Sequence, residues 1–417
     1  DIPRVLLVLP VGFVAIDYRK IMWGMSGMET QIATTLLLIS IYYLLREKLF
    51  ATGILLGLCL LARPDMVFWV VIAGTYLLFT QRLATVRAII PAAVVYLPWL
   101  IFTTSYYGSP FPNTMMAKYV ACRGLWWTHR NLTLPAALSH VLGATRYDFL
   151  PLGPCFGGHG TRFVTFAYGY WISYAMSFSA FIAVCLILLQ RRKQLLPCAM
   201  FVLLYSGYYV FLAPGVASWY LVPLAAVTVL LSTYGIGRTI GFLKDPDFRR
   251  YSGVFISATY LIFTVTVIPS NFNTDRQIQV YIEDGVRKEI GLYLSTVMEK
   301  DQSVGCECLG YIGYYSRRTV YDYPGLCNPR VVEYLKTMEP SQRCLYSMLE
   351  YFKPDYIVLR DHEYESFKER GGVDPWVLRD YQVLRWFEAD PAKTKDIFGI
   401  EYNADTSFVV LQRTNYD

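Results

Sequence analysis

Carboxylates are scarce enough in the first 269 residues to be named one by one: Asp1, Asp17, Glu29, Glu47, Asp65, Asp148, Asp245 and Asp247. A general base in this part of the chain must come from that set. Glu29 follows Ser26, Gly27 and Met28 and opens an apolar run. There it could take a proton from a hydroxyl, or simply complement the positive end of a helix. Asp65 lies in LARPDMV, two residues after Arg63 and next to Pro64. That spacing suits a tight turn closed by a local ion pair, and it also places a guanidinium beside a carboxylate, a pairing suited to a phosphate-bearing lipid.

A second group of candidates lies in YYGSPFPNTMMAKY (106–119), which mixes turn residues with aromatics, Asn113 and Lys118. Lys118, followed by Arg123, Arg130, Arg146 and Arg162, could neutralise a phosphate at headgroup level or snorkel to lipid headgroups. His129, His140 and His159 share no metal-ligand spacing. Asn131-Leu132-Thr133 fits the short glycosylation acceptor pattern.

The elements that must position these residues are strongly apolar. Of 417 residues 54% are hydrophobic and 17% charged, too apolar for one soluble domain of this length. Apolar runs at 5–16, 30–45, 49–62, 66–80, 88–105, 163–189, 195–213, 218–236 and 252–269 predict about nine membrane spans, several of them borrowing flanking residues to reach the ~20 a span needs. Arg46 and Lys48, Arg82 and Arg87, Arg191 to Lys193, and Arg238 to Arg250 fall in alternate short loops, which the positive-inside rule places in the cytoplasm. The loop 106–162 and everything after 269 then face outward. No secretory cleavage pattern appears, and the chain, which opens without Met close to an apolar run, is expected to lack N-terminal residues. The basic half follows from cytoplasmic loops, and no nucleic-acid partner is expected.

From about Asn271 the pattern changes to alternating helices and strands. Helices are predicted at Gln277–Met298, Pro329–Met338 and Gln342–Phe352, and strands at 303–315, 319–323, 354–360 and 408–411. The fold expected is a polytopic α-helical membrane protein, 1–269, with a C-terminal extracytoplasmic α/β domain, 270–417. Gly305, Gly310 and Gly313 lack the Lys-Ser/Thr of a phosphate loop and read as turns or close packing within an apolar strand. Cys306, Cys308, Cys327 and Cys344, with Cys122 and Cys155 in the loop, are read as disulfides or free thiols in preference to a metal site.

Four segments in order, SGMET (26–30), LARPD (61–65), YYGSPFPNTMMAK (106–118) and GYIGYYSRRTVYDYPGLCNPRVVEYL (310–335), resemble the GT-C class of membrane glycosyltransferases. That class includes the mycobacterial terminal β-(1→2) arabinofuranosyltransferases and relatives linked to flagellar motor control. The resemblance implies a multi-pass enzyme of the plasma membrane, working at the outer face. It would move a sugar, arabinofuranose among the candidates, from a polyprenyl-phosphate donor to a hydroxyl of a cell-envelope glycan, with inversion. A carboxylate base and cations, with Mg or Mn as candidate cofactor, would serve that chemistry.

The aspartate pair of the class normally lies in the first outward loop, which would precede residue 1. Within the chain the resemblance leaves Glu29 and Asp65 as catalytic candidates, with Arg63, Asn113, Lys118, Trp219 and Tyr220 toward the donor phosphate. In SWYLVP (218–223) Trp219 replaces the arginine usual in relatives, so a sugar face stacked on the ring takes the place of a phosphate contact. Two other functions fit the same pattern: a transporter or flippase for a lipid-linked sugar, and a non-catalytic assembly or motor-associated protein.

Overall fold

A computed structural model describes residues 3–126, 163–211, 218–370, 376–394 and 405–414. The chain divides into two compact units, Asp1–Pro110 with Leu132–Ser270, and Phe111–Asn131 with Asn271–Asp417.

The first unit is helical: α1 (Val8–Ile16), α2 (Tyr18–Met25), α3 (Thr30–Leu45), α4 (Leu49–Ala62), α5 (Val67–Gln81) and α6 (Val86–Tyr107), then α8 (Phe163–Leu189), α9 (Leu196–Phe211), α10 (Leu221–Ile240) and α11 (Pro246–Gln277). Punctuation in the sequence sets these ends. Asp17 caps α2 by accepting from the Lys20 amide. Pro64 starts the 3₁₀ turn between α4 and α5. The core gathers Leu37, Trp69, Phe201 and Leu224, none of them exposed. Trp69 donates its indole N–H to Ser40 Oγ at 2.7 Å, which ties α5 to α3. α4 and α6 approach so closely at Gly53 that an added Cβ would stand 2.1 Å from the Ala88 carbonyl oxygen.

The polytopic, GT-C-like architecture expected from hydropathy is corrected here. Among the described residues two helical stretches are long and apolar enough to cross a membrane, Pro64–Tyr107 and Leu221–Ile240. The second has 78% of its apolar window buried within the protein, as a core helix would. The apolar runs at Thr30–Leu45 and Leu49–Ala62 form helices of 16 and 14 residues, short of the ~20 needed to cross the hydrocarbon. Hydropathy reports avoidance of water and is blind to whether lipid or protein supplies the cover. In α10, Leu224, Ala225, Val227 and Val229 are covered by protein. The multi-pass localisation and the inside–outside assignment, including the extracytoplasmic placement of 270–417, rested on nine spans and fall with them.

The second unit begins earlier than its expected boundary. Phe111–Asn131, the start of the loop assigned to the membrane part, belongs to it. There α7 (Asn113–Trp126) buries Ala117 and Val120 against Val331, Leu335 and Met348. The remainder comprises a π-helix (Ile278–Arg287), α12 (Lys288–Val297), β1 (Ser303–Cys306), α13 (Leu309–Ser316), β2 (Thr319–Asp322), α14 (Pro329–Thr337), α15 (Leu345–Phe352), β3 (Tyr356–Arg360), α16 (Asp361–Arg370), α17 (Trp376–Asp380), β4 (Tyr381–Glu388), α18 (Pro391–Thr394) and β5 (Ser407–Arg413).

The five strands form one mixed sheet in the order β2-β1-β3-β5-β4. β1 pairs in parallel with β2 and β3, and β5 runs antiparallel between β3 and β4. The strand expected over 303–315 stops at Cys306, and Gly310 and Gly313 lie on a helix instead. Packing explains this: α12 crosses α13 at Gly291, where a Cβ would meet the Tyr311 carbonyl oxygen at 3.0 Å, so one apolar face of a helix covers the sheet. Strand β4, which alternates poorly between buried and exposed positions, is an element that the sequence pattern missed.

Candidate functional site

Five of the residues singled out in the sequence meet in the first unit, brought from three places in the chain. Arg63 ends α4 in extended backbone, and the turn that follows carries Asp65 back beside it. Its guanidinium, 2% exposed, donates to both oxygens of Asp65, from Nε to Oδ1 at 3.0 Å and from Nη2 to Oδ2 at 2.7 Å. Its Nη1 donates to Thr30 Oγ1 at 3.1 Å and reaches the Trp219 carbonyl at 3.5 Å. The same group lies over the Tyr220 ring, 5.1 Å from the centroid. Glu29 stands 3.6 Å away with its side chain 48% exposed.

These contacts separate the two carboxylates. Asp65 Oδ2 also accepts from the hydroxyls of Tyr205, at 2.7 Å, and Tyr209, at 2.9 Å. With two bonds from Arg63 and two from tyrosines, little capacity is left for a substrate proton. Glu29 occupies the N-cap position of α3 yet makes no side-chain capping bond. What remains for it at the helix end is the interaction of its charge with the positive end of the helix dipole, and its carboxylate faces solvent beside a fixed positive charge.

Aromatic rings gather around the Arg63 guanidinium, which lies over Tyr220. Trp23 and Trp219 meet edge to face at 5.0 Å, Trp219 packs on Tyr220 at 5.7 Å, and Tyr220 stacks on Tyr209 at 5.4 Å. The Trp23 indole N–H is buried with no hydrogen-bond partner. An orphaned donor of this kind costs about 1–3 kcal/mol, and native structures seldom keep one without an external acceptor. Trp23, Thr30, Tyr205 and Tyr209 were missed as site residues by sequence reasoning. The signal was present in the Tyr pair four residues apart within YSGYY (205–209), which puts two hydroxyls on one face of an apolar helix.

Asn113 and Lys118 belong to the other unit. Asn113 opens α7 and donates from Nδ2 to the carbonyls of Gly325 and Leu326, at 2.8 and 3.1 Å, so its visible work is to hold the turn after β2. Lys118 is half-buried on α7. Asp148, Cys155, Arg130, Arg146, Arg162, the three loop histidines and the Asn131 acceptor pattern lie outside the described residues. Cys306, Cys308 and Cys327 are free thiols, and burial pushes the Cys306 and Cys308 thiols upward.

No group of three or more His, Cys, Asp or Glu among the described residues is placed to hold a metal ion. Of the two carboxylates beside Arg63, one is already engaged by four donors. The same unit contains an apolar cavity of about 300 Å³ among α4, α5 and α6, lined by Leu56, Val70, Leu77, Ala88, Ala92 and Leu97.

Comparison with known families finds one match. A family model described as a domain of unknown function, DUF8728, covers residues 271–410, which is most of the second unit. No curated protein matches the chain.

Proposed function

We propose that the first unit binds a polyprenyl-phosphate sugar at a membrane surface and transfers its sugar to a glycan hydroxyl, with Glu29 as general base. The observation that carries this reading is the half-exposed Glu29 carboxylate beside Arg63, whose guanidinium lies over Tyr220 in the Trp23–Trp219–Tyr220 wall. The half-exposed side chain of Glu29 leaves its carboxylate within reach of an acceptor hydroxyl. Aromatic faces with an unpaired indole donor suit a ring whose faces carry C–H groups and whose edge carries hydroxyls.

In the reaction Glu29 takes the proton of the acceptor hydroxyl as its oxygen attacks the anomeric carbon. The bond from that carbon to the donor phosphate breaks, and the electron pair leaves with the lipid phosphate. The configuration inverts. Asp65 positions: it fixes Arg63, which in turn fixes Glu29.

Attachment to a bilayer is supported by α6. Ile89, Ile90, Val94 and Ile101 expose half or more of their surface, and Trp99, Phe102, Tyr106 and Tyr107 are exposed toward its C-terminal end, with Arg82 and Arg87 at the other. Aromatics and basic residues at opposite ends of an apolar stretch suit the two headgroup layers. The apolar cavity beside α6 could take part of the lipid's hydrocarbon.

One observation favours a second reading, a non-catalytic site for the same lipid-linked sugar. Asp65 is fully engaged, which leaves Glu29 as the accessible carboxylate next to Arg63 among the described residues. Incubation with a donor labelled in its sugar, plus a glycan acceptor, distinguishes the two. Labelled glycan together with free polyprenyl phosphate supports transfer, and binding without release supports the second reading. Absence of both contradicts each.

A further inference from the structure

The second unit gathers opposed charges at one edge of its sheet. Glu307 follows β1, Arg360 closes β3, Glu363 lies near the start of α16, Glu283 and Arg287 sit on the π-helix, and Asp405 precedes β5. Arg287 pairs with Glu283 and Asp405, and Arg360 with Glu307, Glu363 and Asp405.

The position has meaning in the topology. The chain leaves β1 toward β2 on one side, then returns past β1 to form β3 on the other. The C-terminal ends of β1 and β3 therefore flank the point where strand order reverses, which is where open α/β sheets bind ligands. Stability alone is a poor reason for such a cluster, because partly buried ion pairs recover little over apolar replacements. The π register that carries two of its members runs for ten residues, and such irregularities concentrate at functional positions. Arg287 Nε is buried without a partner, and Glu307 opens to solvent at 39% exposure.

Asp405 distinguishes this cluster from ordinary packing. Each arginine already has a carboxylate on its own stretch of chain, Glu283 four residues before Arg287 and Glu363 three after Arg360. Asp405 is the one of the four carboxylates that both arginines share, with Oδ2 held by Arg287 Nη2 and Oδ1 by Arg360 Nε. An oxyanion gripped by two guanidiniums from separate elements is how proteins hold carboxylate and phosphate groups.

We infer that this crevice is an oxyanion site, for a phosphate or carboxylate group of a ligand, whose Arg287–Arg360 clamp Asp405 occupies until the ligand takes its place. It is independent of the sugar-transfer reading, which concerns the other unit.

The test titrates inorganic phosphate into the whole protein at constant ionic strength, following thermal unfolding and ³¹P line width. A saturable response is expected in wild type, at least ten-fold more sensitive in Asp405→Asn and absent in Arg360→Gln with unchanged circular dichroism. Saturation in Asp405→Asn alone also supports the clamp. A parallel titration with soluble dihexanoyl phosphatidic acid separates the two sources of phosphate: the more sensitive response identifies a lipid headgroup or a free ligand. No saturable response to either probe in wild type and Asp405→Asn overturns the inference, as does an undiminished response in Arg360→Gln.

Discussion

Arg63 holds Asp65 in a two-pronged grip, with donor–acceptor distances of 3.0 and 2.7 Å, two residues apart in sequence and with Pro64 between them. The proline starts the turn that folds the carboxylate back, and the guanidinium fork supplies the matching pair of donors. The same guanidinium carries the contacts to Thr30, the Trp219 carbonyl and Glu29.

Removal of the arginine should therefore be costly. Arg63→Met leaves Asp65 buried with only tyrosine donors, and a broken buried pair of this kind typically loses about 3–5 kcal/mol. Denaturant unfolding should show that loss. Arg63→Lys should recover only part of it, because a point charge cannot supply the fork.

Close approach of α4 and α6 sets a second expectation. In Gly53→Val the added Cβ would press on the Ala88 backbone carbonyl, which cannot rotate away. Overpacking of this sort costs about 1–3 kcal/mol. Gly74, which has open space around it, provides the control: Gly74→Ala should be neutral or stabilise by about 0.5–1 kcal/mol. Melting temperatures of the two variants should move in opposite directions, or the first alone should fall.

The charge cluster of the second unit predicts a pH dependence. Burial raises the carboxyls of Glu283 and Glu363 above the ordinary glutamate range, against the pull of Arg287 and Arg360 respectively. A raised carboxyl binds protons more readily in the folded chain. Its stabilising contribution is thus complete below the unfolded value and lost as pH rises through the folded one. Between pH 7 and the usual glutamate range, wild type should gain stability on acidification relative to Glu283→Gln/Glu363→Gln. Parallel melting curves for the two proteins across that window would contradict the assignment.

Much of the first-unit site could be read from residue scarcity. Charges in an apolar region are expensive, so Glu29, Arg63 and Asp65 stood out, and their convergence with Trp219 and Tyr220 follows from the turn at Pro64 and the short 3₁₀ segment Ser218–Tyr220. Tyr205 and Tyr209 did not stand out, because tyrosines in an apolar helix look like ordinary packing until Asp65 is seen between their hydroxyls. Strands β1, β2, β3 and β5 fall where short apolar runs lie between turns. β4 escaped because most of its residues are exposed. The number of spans was misread for a more basic reason: Leu224 and Val227 are as apolar as any lipid-facing residue, and only packing tells the two apart. The oxyanion cluster was invisible because its members are distant in sequence and meet only through the order of the strands.

The central claim rests on Glu29, and one measurement addresses it directly. Glu29→Gln removes the base, while Arg63 keeps its closer partner Asp65, so the fold should survive unchanged. With purified protein in lipid vesicles, a polyprenyl-phosphate donor labelled in its sugar and a glycan acceptor, wild type should form labelled glycan. Glu29→Gln should form it at least about 100-fold more slowly while binding donor equally well. Transfer by Glu29→Gln at the wild-type rate, or no transfer by wild type from any polyprenyl-phosphate sugar, would contradict the account.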